Sequence, residues 1–250
     1  MRLTPAASAW CALLALWAGL GLAGIPSAGP PDYGAERAAM VDRLRAQGIR
    51  DERVLAAMGQ VPRHVFVPLA RRAQAYEDIE ISVGSGRVLH RPYHVALASQ
   101  LLELRPGEKV LQVGAGCGYR TAVLSEMTRE VYVMDMSQQS IRLAQASVRN
   151  LGYSSVRWRT GRACRGWQEQ APYDAILVFC AAEQVPDALV KELADGGRMV
   201  VPIGSGPEQT LTCVRKTAGT LRAEVVTTIR VPAMKCQSQR TGAAAGRPCP

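Results

Sequence analysis

The stretch VLQVGAGCGY, Val110 to Tyr119, constrains this 250-residue chain more than any other. A hydrophobic run ends in three alternating glycines, and a helix-forming stretch, TAVLSEMT, follows at once. A buried parallel strand that delivers the chain to a ligand loop reads this way. The downstream pattern repeats the alternation. Strands are expected at Lys109–Val113, Glu130–Met134, Val156–Arg159, Ala175–Val178 and Arg198–Pro202, with helices at Thr121–Thr128, Ser137–Asn150 and Pro186–Leu193 between several of them. Two further strands, Thr210–Arg215 and Leu221–Val231, close the series. Alternating elements of this kind give an α/β fold, with a Rossmann-like, mostly parallel, doubly wound sheet covered on both faces.

In such a sheet the ligand lies beyond the carboxyl ends of the strands, where strand order reverses. Glycine suits Gly114, Gly116 and Gly118 because the backbone must turn sharply and approach a ligand without Cβ atoms in the way. Seventeen residues after Gly118, the strand VYVMD ends in Asp135, whose carboxylate can accept hydrogen bonds from both hydroxyls of a ribose. The spacing is G-x-G-x-G and not the G-x-G-x-x-G of dinucleotide sites. That favours a single nucleoside with no pyrophosphate to cradle, and hence S-adenosyl-L-methionine over a nicotinamide dinucleotide.

The segment before the sheet reads as smaller elements. A helix is expected over Ala35–Gln47, with Asp51 capping a second short one. VPRHVFVP, Val61 to Pro68, is a hydrophobic link bounded by prolines. Ile79–Leu89 reads as a small hairpin around Gly84-Ser85-Gly86, and Pro92 opens a helix running to about Leu104. The extreme N-terminus differs in kind. After Arg2 the chain is apolar from Ala6 to Gly24, then offers small-residue cleavage positions, so 1–28 reads as a secretory signal or membrane anchor. That places the protein outside the cytoplasm or on a membrane through residues 6–24. A start at Met40, or an anchor facing the cytoplasm, is the alternative. Residues 29–34 read as a linker, 35–232 as the domain, and 233–250 as a polar tail without periodicity.

The formal charge of +9 rests almost wholly on arginine scattered along the chain, with aromatics at only 5%. A nucleic-acid groove needs a basic stripe interleaved with stacking rings, so no nucleic-acid partner is expected. Cys117, Cys164 and Cys180 fall in loops after strands and, with His90, could ligate zinc. Small residues packing a loop are the plainer reading, and no metal site is assigned.

Several segments together resemble the protein-L-isoaspartate O-methyltransferases. They are MVDRLRAQGIRDERVLAAMGQVPRHVFVP, RPYHVALASQLLEL, VLQVGAGCGYRTAVL, RGW followed by APYDAILV, and GGRMVVPIG, in that family's order and spacing. The resemblance covers roughly Ala35 to Val231. It implies a class I S-adenosylmethionine-dependent methyltransferase that methylates the α-carboxylate of L-isoaspartyl residues in damaged proteins or peptides; apart from the resemblance, a monomer is expected. It also implies site residues. Gln112 stands where the family has an acid facing the cofactor's methionyl ammonium. Gly114, Gly116 and Gly118 shape the loop, Asp135 binds ribose, and Met136, Arg162 and Ala163 surround adenine. His90 falls at the position of the family's catalytic serine, with Tyr93 nearby on the substrate side.

The chain departs from that pattern at Gln112, His90, the Gly161-Arg162-Ala163 turn and Phe179-Cys180. Gln112 cannot attract an ammonium as an acid would, and Arg162 has donors only, so it cannot accept the adenine amino hydrogen. A methyltransferase with another carboxylate substrate, and a noncatalytic relative, are the alternatives these changes leave open.

Overall fold

The computed structural model describes residues 32–234. The signal-like segment, the first half of the linker (29–31) and residues 235–250 lie outside the described residues. Among the described residues no helix is long and apolar enough to cross a membrane.

Helix α1 (Gly34–Ala46) packs on α2 (Glu52–Gln60), which begins where the Asp51 carboxylate accepts the Arg53 N–H at 2.9 Å. That is ordinary N-capping, and it ends the loop after Gly48. The expected linker already belongs to the fold at its end, because the Tyr33 ring lies 4.5 Å from the His64 ring and Gly34 opens α1. The proline-bounded link contains a short 3-10 turn, Arg63–Phe66. A two-stranded ribbon of β1 (Ile81–Ser82) and β2 (Val88–Leu89) then leads into α3 (Pro92–Leu101), with proline in its first turn.

The main sheet has seven strands in the order β5-β4-β3-β6-β7-β8-β9. They are β3 (Val110–Val113), β4 (Val131–Asp135), β5 (Arg157–Thr160), β6 (Tyr173–Val178), β7 (Leu193–Ile203), β8 (Gln209–Thr217) and β9 (Thr220–Ile229). β3 through β7 are mutually parallel, and β8 and β9 add an antiparallel edge. Three more helices complete the domain: α4 (Tyr119–Met127), α5 (Gln138–Asn150) and α6 (Asp187–Glu192). Between β5 and β6 two short 3-10 turns, at Ala163–Arg165 and Gln168–Gln170, take the place of a crossover helix.

Side-chain alternation divides the interior. Val110, Val131, Val133, Ala175 and Leu177 face a large core filled by α1 to α5. Leu111, Val113, Tyr132, Met134 and Ile176 face a smaller one, closed by Leu189 of α6 and by Trp167. Such strands must be apolar on both faces, which is why they read as continuous hydrophobic runs. The chain winds from β3 outward to β5, then returns to place β6 on the other side of β3. The loops after β3 and β6 therefore part company, and a crevice opens between them at the carboxyl edge of the sheet.

Gly118 caps α4 with φ +95°, and a Cβ there would come within 3.0 Å of the Ala144 carbonyl oxygen and Val148 Cγ2 in α5. Backbone on one side and a packed valine on the other leave little room to give. Gly118→Ala is expected to lower stability by about 1–3 kcal/mol, from the left-handed backbone and the clash together. Urea unfolding measures it, and an unchanged midpoint would show that α4 and α5 can separate freely.

Candidate active site

A cavity of about 360 Å³ occupies the crevice. Its walls come from the loops after β3, β4, β5 and β6, from the β1–β2 ribbon, and from Pro232, Ala233 and Met234. These last residues are held by bonds on both sides of Ala181: its N–H donates to the Pro232 carbonyl at 2.8 Å, and its carbonyl accepts the Met234 N–H at 2.6 Å. Composition assigns Ala233 and Met234 to the tail, yet they close a wall.

The first loop enters with Gly114 and Gly116, at φ +96° and +56°. Opposite them stands Asp135. Its Oδ2 accepts the Ala115 N–H at 2.9 Å and its Oδ1 accepts the Ser137 N–H at 2.8 Å. One carboxylate thus joins the loops after β3 and β4, and each oxygen keeps lone-pair capacity for a further donor. Beyond it Met136, Gly161, Arg162 and Ala163 form one end of the cavity. The backbone behind that end is held by Glu192, whose Oε2 accepts the Trp167 N–H at 2.9 Å. Any Cβ at Gly166 would overlap the Glu192 carboxyl group.

His90 closes the opposite end. It is 7% exposed, and its ring centroid lies 5.0 Å from that of Phe179. The Nδ1 atom sits 3.0 Å from Glu80 Oε1. Because an ionised carboxylate only accepts, Nδ1 carries the proton and Nε2 is the nitrogen left to the cavity. Burial pushes the His90 pKa below its usual value, with the Glu80 hydrogen bond opposing and the Arg120 charge reinforcing the shift. Glu80 is held below the usual carboxyl range, chiefly by the hydrogen bond from His90. Without an anion nearby, the pair is therefore a carboxylate and a neutral imidazole. The His90 backbone is pinned as well. Arg63, fully buried, donates to the His90 carbonyl at 2.6 Å and to the Ala75 carbonyl at 2.7 Å, while its guanidinium lies 4.8 Å from the Tyr119 ring centroid.

Of the residues expected at the site, His90, Gly114, Gly116, Asp135, Met136, Arg162 and Ala163 line this one cavity. Three do not. Gln112 is fully buried beneath the loop, where its Nε2 donates to the Gly114 carbonyl at 2.7 Å and its Oε1 accepts from Thr121 Oγ1 at 3.1 Å. Strand alternation turns Val113 into the wall and Gln112 toward α4. Gly118 serves the contact with α5 described above. Tyr93 lies on α3, its N–H donated to Asp78 Oδ1 at 3.0 Å and its side chain packed against the large core.

Sequence reasoning missed Arg120 and Glu80. Arg120 lies in the first turn of α4, two residues past the last glycine, a position from which a side chain can return over the loop. It lines the cavity, is 8% exposed, and stacks with its Cζ 3.6 Å from the Phe179 ring centroid. Burial brings its pKa down to about 10, with smaller opposing effects from Cys117, Cys180 and Asp135. Among the described residues, no group of three or more histidine, cysteine or acidic side chains is placed to hold a metal ion.

The model of the protein-L-isoaspartate(D-aspartate) O-methyltransferase family matches residues 35–238. A protein-L-isoaspartate O-methyltransferase of Roseiflexus castenholzii is 43% identical over 199 residues, covering 80% of this chain and 91% of the relative. One from Methylorubrum populi is 47% identical over 178 residues, covering 71% and 84%. A solved protein-L-isoaspartate O-methyltransferase superimposes with a TM-score of 0.70 at 26% identity, over 79% of this chain and 65% of that longer one. A Plasmodium falciparum candidate for the same activity, in complex with S-adenosyl-L-homocysteine, shares the fold with a TM-score of 0.69 at 21% identity, covering 80% and 98%. With this match spanning the helices, the sheet and the cavity alike, the chain belongs to the protein-L-isoaspartate(D-aspartate) O-methyltransferase family.

Proposed function

We propose that the chain performs its family's reaction, methyl transfer from S-adenosyl-L-methionine to the α-carboxylate of L-isoaspartyl residues in damaged proteins or peptides. The observation that carries this reading is the Asp135 carboxylate, oriented by the Ala115 and Ser137 N–H groups at the edge of a nucleoside-sized cavity. The residues present fit the cofactor. Asp135 suits the ribose hydroxyls, Gly114 and Gly116 leave backbone open to close approach, and Met136 and Ala163 offer apolar surface to a flat base. Arg162 supplies a planar cation that can stack on the base although it cannot accept from the amino group. Bound there, S-adenosylmethionine supplies an electrophilic methyl group on a sulfonium.

A carboxylate acceptor, with a usual pKa of about 3.9, is already ionised near neutrality, so no general base is needed. The protein has to position the oxygen and exclude water. His90 meets that need when Nε2 donates a hydrogen bond to the acceptor, which requires the imidazolium. Glu80 stabilises that form, and an arriving carboxylate stabilises it further.

The sign of the pH dependence follows. Burial holds His90 below its usual value of 6.5, so the donating form is lost as pH rises through that lowered pKa. With an isoaspartyl peptide, kcat/KM is expected to fall with increasing pH below about 6.5, and His90→Ser to flatten that slope because a hydroxyl does not titrate there. Labelled methyl transfer to paired isoaspartyl and aspartyl peptides tests the reading. Transfer to the isoaspartyl peptide alone supports it. Equal background on both, from protein that binds S-adenosylhomocysteine, would point instead to another acceptor.

A second expectation concerns Asp135. Asp135→Ala removes the ribose acceptor and also frees two backbone donors, so S-adenosylhomocysteine should bind roughly 10- to 100-fold more weakly. Calorimetric titration reads this directly, and wild-type affinity in the variant would remove Asp135 from the site.

A further inference from the structure

Arg120 presents a buried cation that makes no salt bridge among the described residues, and Cys117, Cys180 and Asp135 offset its burial only in part. The residue is 8% exposed, its guanidinium donates to the Gly114 carbonyl only at a long 3.4 Å, and its Nε has no partner among the described residues. Buried charges are costly unless paired, and a stacked ring offers only part of what a carboxylate would. The same guanidinium lines the main cavity and a small adjoining one, beside Gly116 and His90 in both.

The charge around it is one-sided. Arg87, Arg120 and Arg162 line the main cavity, and Asp135 is the one carboxylate in its wall among the described residues. Asp135 is engaged with the Ala115 and Ser137 N–H groups on the ribose side. Gln112, buried and neutral, contributes no charge and spends its amide donor on the Gly114 carbonyl at 2.7 Å. That carbonyl therefore faces two internal donors. Next to the glycine loop the cavity offers the Arg120 charge, and its one carboxylate, Asp135, already accepts two backbone donors.

The amino-acid end of the cofactor is a zwitterion, with one ammonium and one carboxylate. We infer that Arg120 receives a carboxylate, and that its place on the glycine loop makes this the methionyl carboxylate of the cofactor, while the methionyl ammonium adds little to binding. Recognition at this end is then by the anion, and Arg120 sets that specificity. The inference rests on the cofactor reading given above. The isoaspartyl carboxylate is the other possible source of the same chemistry, and the test separates the two.

The experiment titrates the full chain calorimetrically with S-adenosylhomocysteine, its desamino analogue and its decarboxylated analogue, and repeats the series on Arg120→Met. Wild type is expected to bind the first two within about 3-fold of each other and the decarboxylated analogue roughly 10- to 100-fold more weakly, the range for losing a charge-assisted hydrogen bond. Arg120→Met should lose the same factor for S-adenosylhomocysteine yet bind the decarboxylated analogue as wild type does, which also reports that its fold is intact. Equal losses on removing ammonium or carboxylate, or unchanged S-adenosylhomocysteine binding by the variant, would overturn the assignment. So would a variant that binds normally but shows a raised KM for isoaspartyl peptide, since that places Arg120 on the acceptor. No binding to folded wild type would remove the cofactor reading itself, an outcome distinct from the others.

Discussion

Asp135 terminates β4, and its two oxygens hold the N–H groups of Ala115 and Ser137, so a single carboxylate fixes the separation of two loops that the sheet would otherwise leave independent. The site depends on that span. A parallel sheet supplies strand ends but says little about how the loops beyond them lie, because each connects to a different crossover. With the loop after β3 tied to the start of α5, the helix contact at Gly118 and the cavity floor at Gly116 become one rigid object. Arg63 does the corresponding work on the other side, joining the Ala75 and His90 carbonyls across the segment that precedes α3.

Much of this was legible in the sequence, and the failures have physical causes. Strands buried on both faces show as apolar runs, so β3, β4 and β6 were found within a few residues. β7 was expected to begin at Arg198 but begins at Leu193, since Leu193 pairs with Tyr173 across a register shift that no local pattern encodes. The helix expected to reach Leu104 stops at Leu101, and Glu103 follows with φ +44°, a backbone state the apolar spacing does not announce. Loop residues after strands, from Gly114 to Ala163, could be placed because the topology sends all such loops to one edge. Glu80 and Arg120 could not, because their roles rest on where a ribbon and a first helical turn fold back. The displacement of Gln112 from the wall was readable in principle, from strand alternation against Val113.

Side chains beside the glycine loop are not independent of one another in space. His90, Phe179 and Arg120 form a contiguous stack, with the imidazole and the guanidinium each packed against the same ring. Phe179 gives both the imidazole and the guanidinium an apolar surface. Gln112 lies directly under this group, tied to Thr121 and Gly114. A neutral amide there avoids burying an acid against a loop carbonyl. The end of the cavity beside the glycine loop carries the Arg120 charge, and an anion entering it would favour the protonated state of His90.

The chain leaves the sheet at Ile229, and within five residues Pro232, Ala233 and Met234 have crossed to Ala181 and joined the cavity wall. Met234, the last described residue, therefore lies at the rim of the pocket and not at a remote surface. An affinity tag or reporter joined close behind this point is tethered to the mouth of the site, where its bulk and charge bear on entry. The same geometry makes it a natural place for a fluorophore whose emission reports whether the pocket is filled.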